Sequence, residues 1–152
     1  MTDDRKLRLL TFSTLFPNAA APSHGIFVEN RLRHLLASGE AETRVIAPVP
    51  WFPSRNPRFG AYSAYAAAPR REHRHGIDID HPRYPLIPKI GMTITPALLY
   101  LWALPAVRRL LASGYDFDLI DAHYFYPDGV AAALIARRLG KPVTITARGT
   151  DI

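Results

Sequence analysis

The chain has 152 residues, 48% of them apolar and 21% charged, enough for one domain with its own core and too apolar for long disorder. Its net charge of +6 suits an anionic partner (a phosphate-bearing ligand, a membrane surface or nucleic acid) without choosing among them. With no Cys, disulfides, thiolate metal sites and Cys nucleophiles are excluded. Two acids, Asp3 and Asp4, precede the first apolar run. A secretory leader opens on basic residues instead, so a first strand is expected here. The longest apolar stretch, Ile94 to Val107, contains Pro96 and Pro105 and is shorter than the roughly 20 residues a bilayer span needs. A cytoplasmic protein is expected, with peripheral contact at the inner face of the membrane left open.

In chain order, Leu7 to Thr14 reads as a strand, followed by a loop with Pro17, Asn18 and Pro22. Val28, Leu32, Leu35 and Leu36 fall at helical spacing from about Gly25 to Ala37, with Glu29, Arg31 and Arg33 largely off that stripe. Ser38-Gly39 is a plausible stop, and Thr43 to Pro50 is the next strand. Strand, helix, strand at this spacing is a βαβ unit with parallel strands. Trp51 to Pro69, rich in Pro and aromatics, reads as a long irregular loop. His75 to Tyr84 reads as an edge strand or hairpin arm, because Ile77 and Ile79 alternate with acids and Pro82 ends it. Thr95-Pro96 should open a helix running to about Ser113, kinked near Pro105. "FDLIDAH" is a strand, Asp128 to Leu139 a helix stopped by Gly140 and Pro142, and Val143 to Thr146 a last strand.

This alternation predicts an α/β domain: a Rossmann-like, mostly parallel sheet with helices on both faces. Ligands of such sheets bind beyond the carboxyl ends of the strands, which marks residues 15–25, 123–128 and 147–151.

In the first of these loops, Gly25 with Ser23 and His24 would leave backbone N–H groups at a helix start, an anion site or simply a helix start. Neither G-x-G-x-x-G nor a P-loop occurs, so dinucleotide and NTP readings lack support. His123 follows a strand directly, so its ring should project from the sheet edge and could donate to a substrate oxygen; a structural role is the competing reading. Asp128 sits where it could cap the next helix, the favoured reading for it. Tyr124, Phe125 and Tyr126 suit a sugar, an acyl chain or the core equally. Arg148 has the planar fork that suits phosphate or carboxylate. His73, His75, Asp78, Asp80 and His81 match no metal-ligand spacing and read as a solvated strand face. No G-x-S-x-G elbow is present.

The stretches "LTFSTLFPNAAAPSHGIFVENRLRHLLASGEAETRVIAPVPWFP" and "DFDLIDAHYFYPDGVAAALIARRLGKPVTITARGTDI" resemble the amino-terminal half of family-four retaining glycosyltransferases. These are two-domain enzymes with two facing Rossmann-like halves, the GT-B architecture. The resemblance implies that residues 1–152 form the acceptor-side domain, and that a carboxyl-terminal domain binding the nucleotide sugar follows elsewhere. By the same resemblance, Gly25, with His24 beside it, belongs to the loop near the donor diphosphate and acceptor. His123 would contact the transferred sugar as the catalytic residue. Arg148, Gly149 and Asp151 match the next cleft loop, where many relatives carry His-Gly. One Gly stands in the first loop where relatives often have a pair. The implied function is sugar transfer from a nucleotide-sugar donor to a glycan or lipid-linked acceptor with retention, needing no cofactor and no metal. A subunit of a split enzyme, or a non-catalytic phosphate- or lipid-binding module, is the alternative. No nucleic-acid partner is expected.

Overall fold

Alternation at Leu7–Phe12 (β1) sets Leu10 and Phe12 toward one face of a sheet and Thr11 toward the other, and each finds a buried partner there. The computed structural model describes residues 5–85 and 91–147. After β1 come Ile26–Ala37 (α1), Ala41–Ile46 (β2), Val49–Pro50 (β3) and Ala61–Ala67 (α2). Arg71–Arg74 (β4), Ile77–Asp80 (β5), Arg83–Tyr84 (β6) and Gly91–Ala112 (α3) follow. Leu119–His123 (β7), Val130–Leu139 (α4) and Val143–Thr146 (β8) complete the order. A six-stranded sheet runs β4-β5-β2-β1-β7-β8, parallel throughout except that β4 lies antiparallel to β5. The predicted α/β fold class holds.

The two faces are covered unequally. Leu99, Ala103 and Val107 of α3 and Ala132 and Ile135 of α4 pack on Leu10, Phe12, Ile46, Ile120 and Ala122. On the other face α1 lays Val28 and Leu32 over Val45, Ala47, Ile77 and Ile79, each helical residue contributing about 1.5–3 kcal/mol by its burial. Over β7 and β8 this second face carries Asp121, His123, Thr144 and Thr146 instead of aliphatics.

Several expected boundaries move. The predicted strand Thr43 to Pro50 is broken at Pro48, which cannot donate to a ladder; Val49 then bonds Pro82 and starts a separate ribbon, β3 with β6. Trp51 to Pro69 is not all loop: a 3₁₀ turn at Pro57–Phe59 leads into α2. The Ala-rich run "AYSAYAA" has the propensity for it. Of the two expectations for His75 to Tyr84, the hairpin arm holds, since β5 pairs antiparallel with β4, whereas the edge does not: β5 is interior to the sheet and β4 is the edge. Helix α3 begins at Gly91, so Thr95-Pro96 lies inside it. Thr93–Ala112 is long and apolar enough to span a membrane by length and composition, contrary to the shorter stretch expected, yet its inner side is core.

Glu29, expected off the apolar stripe, is 1% exposed. Its carboxylate accepts from Arg74 Nε at 2.8 Å and lies 3.7 Å from His75 Nε2, tying the β4–β5 hairpin to α1. That hydrogen bond holds the Arg74 guanidinium more firmly protonated despite its partial burial.

Candidate functional site

Because β1, β2, β7 and β8 are parallel, their carboxyl ends open on one edge of the sheet. Two loops meet there: residues 13–25 after β1, and the irregular turn Phe125–Gly129 after β7. What joins them is Asp128, which is fully buried. Its Oδ2 accepts from the Thr14 backbone N–H at 2.7 Å, and the Thr14 hydroxyl lies 2.9 Å from both carboxylate oxygens. The Ser13 hydroxyl, also buried, has the His123 carbonyl at 3.1 Å and Asp128 Oδ2 at 3.4 Å within reach of its single proton. Asp128 is therefore not the helix cap expected of it. Gly129 holds the N-cap position of α4 with no side-chain cap, and the carboxylate reaches back to the other loop.

His24 and Gly25 belong to the same assembly. His24 Nε2 bonds the Thr14 carbonyl at 2.9 Å. Gly25 has φ of 63°, and a Cβ there would stand 2.3 Å from the Leu15 carbonyl carbon and 2.7 Å from Phe16 N. The loop folds back so tightly that glycine is required by close approach as well as by backbone conformation. The geometry thus places His24, Gly25 and Thr14 together, with His123 linked through Ser13.

His123 is the last residue of β7, not the residue after it, and pairs with Thr146 of β8. Its side chain is 2% exposed. The ring does not project free from the edge, which corrects the expectation. Nε2 lies 3.1 Å from Asp121 Oδ2, and Nδ1 lies 3.5 Å from Arg31 Nη1. Arg31 can only donate, so Nδ1 accepts and the ring proton sits on Nε2, donated to Asp121. Arg31 also reaches the Thr146 hydroxyl at 3.2 Å. Burial pushes the Asp121 carboxyl up, but the hydrogen bonds from His123 and Thr144 and the nearby charge of Arg31 hold it below the usual carboxylate range.

A carboxyl depressed in the folded state stabilises the fold at pH above its unfolded value, about 4, and that contribution is lost as pH falls through the folded value. Urea midpoints of wild type and Asp121→Asn should therefore differ most at pH 7 and converge as the pH drops below about 4. A gap that stays constant across that range would mean the ionised form of Asp121 carries no such role.

Beside the first loop lies a cavity of about 300 Å³ lined by Thr14, Phe16, His24, Pro50, Tyr65 and Tyr84. Helix α2 forms one wall, so the element missed in the sequence closes the site. Burial and the nearby charge of Asp128 push the Tyr84 hydroxyl strongly up, keeping it a neutral donor. An aromatic, mostly apolar wall with hydroxyl, imidazole and phenol groups at one end suits a ring with polar substituents. Phe125 and Tyr126 are exposed at the same edge rather than in the core, and Tyr124 takes φ of 90°, a conformation uncommon outside glycine.

Arg148, Gly149 and Asp151 lie outside the described residues. Among the described residues, no three His, Asp or Glu side chains converge as metal ligands. His73 pairs with Asp78 at 2.6 Å on the exposed hairpin, whereas His81, expected on a solvated face, is buried and bonds the Ala47 carbonyl. The sequence reading missed Asp121, Arg31 and Thr14. Asp121 had a usable signal, standing two residues before His123 and so on the same strand face.

No family model matches the chain. It is 29% identical over 157 aligned residues to TuaC of Bacillus subtilis, assigned by name to teichuronic acid biosynthesis as a glycosyltransferase. That alignment covers 96% of this chain and 37% of TuaC, so the chain spans well under half of the relative's length. Among solved structures, sucrose-phosphate synthase from Thermosynechococcus elongatus superposes with a TM-score of 0.52 at 15% identity, over 94% of this chain and 33% of that one. The C-terminal domain of a hydrogenase from Pyrococcus furiosus gives 0.51 at 15% identity, over 95% of both chains. At that identity the structural likeness establishes the fold: a Rossmann-like α/β domain of the kind found in sucrose-phosphate synthase.

Proposed function

We propose that the chain is the amino-terminal, acceptor-side half of a retaining glycosyltransferase of GT-B architecture. It would act with a carboxyl-terminal domain, in cis or in trans, that holds the nucleotide-sugar donor. The observation that carries this reading is the joining of two loops at the sheet edge by Asp128, which brings His24 and Gly25, beside the aromatic cavity, to the edge where β7 ends at His123. The similarity to TuaC along almost the whole chain supports the same reading. The cavity would take the acceptor, and the edge near His24 and Arg31 would meet the donor. With its proton held by Asp121, His123 offers Nδ1 to a sugar hydroxyl that displaces Arg31. That contact would tighten as positive charge grows at the anomeric carbon. Donors aimed at the departing diphosphate would supply much of the rate, without a metal.

The chain alone should fold and transfer no sugar; turnover of any nucleotide sugar by these 152 residues overturns the two-domain assignment. In the longer protein, His123→Ala should lower kcat about 10- to 100-fold, the scale of one transition-state hydrogen bond. Because the ring is buried and partnered, the same change should also cost about 1–3 kcal/mol of stability. Near-normal kcat in a variant that has lost that stability would leave His123 a structural residue.

A further inference from the structure

Away from the strand ends, the β3–β6 ribbon and α3 enclose a cleft of about 450 Å³, with Trp51, Arg70, Arg83, Tyr84, Trp102 and Arg109 among its walls. Elsewhere Arg5, Arg8, Arg44, Arg71 and Arg74 each pair with a carboxylate. In the walls of the cleft three arginines gather without one. Among the described residues, Arg55, Arg70, Arg83 and Arg109 have no carboxylate within ion-pair reach. Arg83 is fixed in place by the carbonyls of His81, at 2.8 Å, and Ala68. Its burial and the neighbouring charges of Arg70 and Arg55 lower its pKa, the mark of cations crowded without a counter-ion.

The rim is as unusual as the charge. Trp51 is 58% exposed, Trp102 47% and Leu101 55%. Helix α3 buries one stripe in the core while showing Leu101 and Trp102 outward, next to exposed Arg108 and Arg109. A soluble anion would use the arginines and leave the indoles and leucine in water. A bilayer uses both, since Trp favours the headgroup boundary and Arg the lipid phosphates.

We propose that this cleft docks the protein on an anionic membrane, with a lipid phosphate seated among Arg70, Arg83 and Arg109, and Trp51, Leu101 and Trp102 entering the headgroup boundary. Binding is read without any activity, so this stands or falls apart from the sugar-transfer reading. The test is flotation of the purified chain with phosphatidylcholine vesicles, with and without phosphatidylglycerol, alongside Trp emission. Expected is salt-sensitive flotation and a blue shift only with phosphatidylglycerol. Arg70→Ala and Arg109→Ala should each weaken binding about fivefold, from the usual contribution of one basic residue at an anionic surface. Trp102→Ala should weaken it too; all three sites are exposed, and circular dichroism checks their folding. Equal flotation with neutral vesicles, no flotation, or no effect of the variants overturns the proposal. Inorganic diphosphate raising Tm without any flotation would also overturn it, assigning the cleft to a soluble anion.

Discussion

Gly25→Ala is expected to lower the free energy of unfolding by about 2–5 kcal/mol. Two costs combine. An L-residue at φ of 63° pays roughly 1–2 kcal/mol for the left-handed conformation. The new methyl would then sit 2.3 Å from the Leu15 carbonyl carbon and 2.5 Å from its oxygen, backbone atoms that cannot rotate away. Forcing them apart should cost about 1–3 kcal/mol more, the scale of overpacking. Gly39→Ala separates the two contributions, because Gly39 has φ of 76° and open space where its Cβ would be. Urea denaturation of both variants is the measurement. Equal losses at the two positions would mean that close approach is not what requires glycine at 25. Since Leu15 and Phe16 line the cavity, the loop displacement in Gly25→Ala should also reshape it.

Local patterns in the chain reported local structure well. Val28 and Leu32 at helical spacing did mark the buried side of α1, and the apolar alternation before Thr14 did mark β1. Where the reading failed, a partner far along the chain was responsible. Glu29 looks solvated by its helical position, yet Arg74, 45 residues away, makes its burial possible. Arg31 likewise looks like a surface cation until the strand order β1-β7-β8 brings His123 and Thr146, 92 and 115 residues on, under its side chain. Helix α2 was missed for another reason. Pro53, Pro57 and Pro69 dominate the composition of that region and hid the Ala-rich run between them. The resemblance named His24, Gly25 and His123, which lie at the carboxyl edge of the sheet, but it could not say that His123 would be enclosed. That follows from Asp121 below it and Arg31 above it, which a strand-end position alone does not reveal.

Asp128 gives the sharpest test of how the edge is held. Asp128→Ala should cost about 2–4 kcal/mol, because it empties a fully buried site and strands the half-buried N–H and hydroxyl of Thr14. The loss is larger than for a surface cap, about 1 kcal/mol, which is what the helix-start reading of this residue would predict. Asp128→Asn keeps an oxygen for the Thr14 N–H, 2.7 Å away in the wild type, and for the Ser13 hydroxyl, but turns an amide toward the Thr14 hydroxyl. It should fall between wild type and Ala. Thr14→Val removes one hydroxyl only, and a double-mutant cycle with Asp128→Ala should show coupling of about 1 kcal/mol or more. Hydrogen exchange supplies a local readout: the Thr14 amide should be protected in the wild type and exchange quickly in Asp128→Ala, while β1 amides deeper in the sheet keep their protection. Such a pattern means that the carboxylate holds the first loop against the second, fixing His24 and the cavity wall relative to His123. An Asp128→Ala variant that loses less than about 1 kcal/mol and keeps a protected Thr14 amide would show that the loops hold their positions without it.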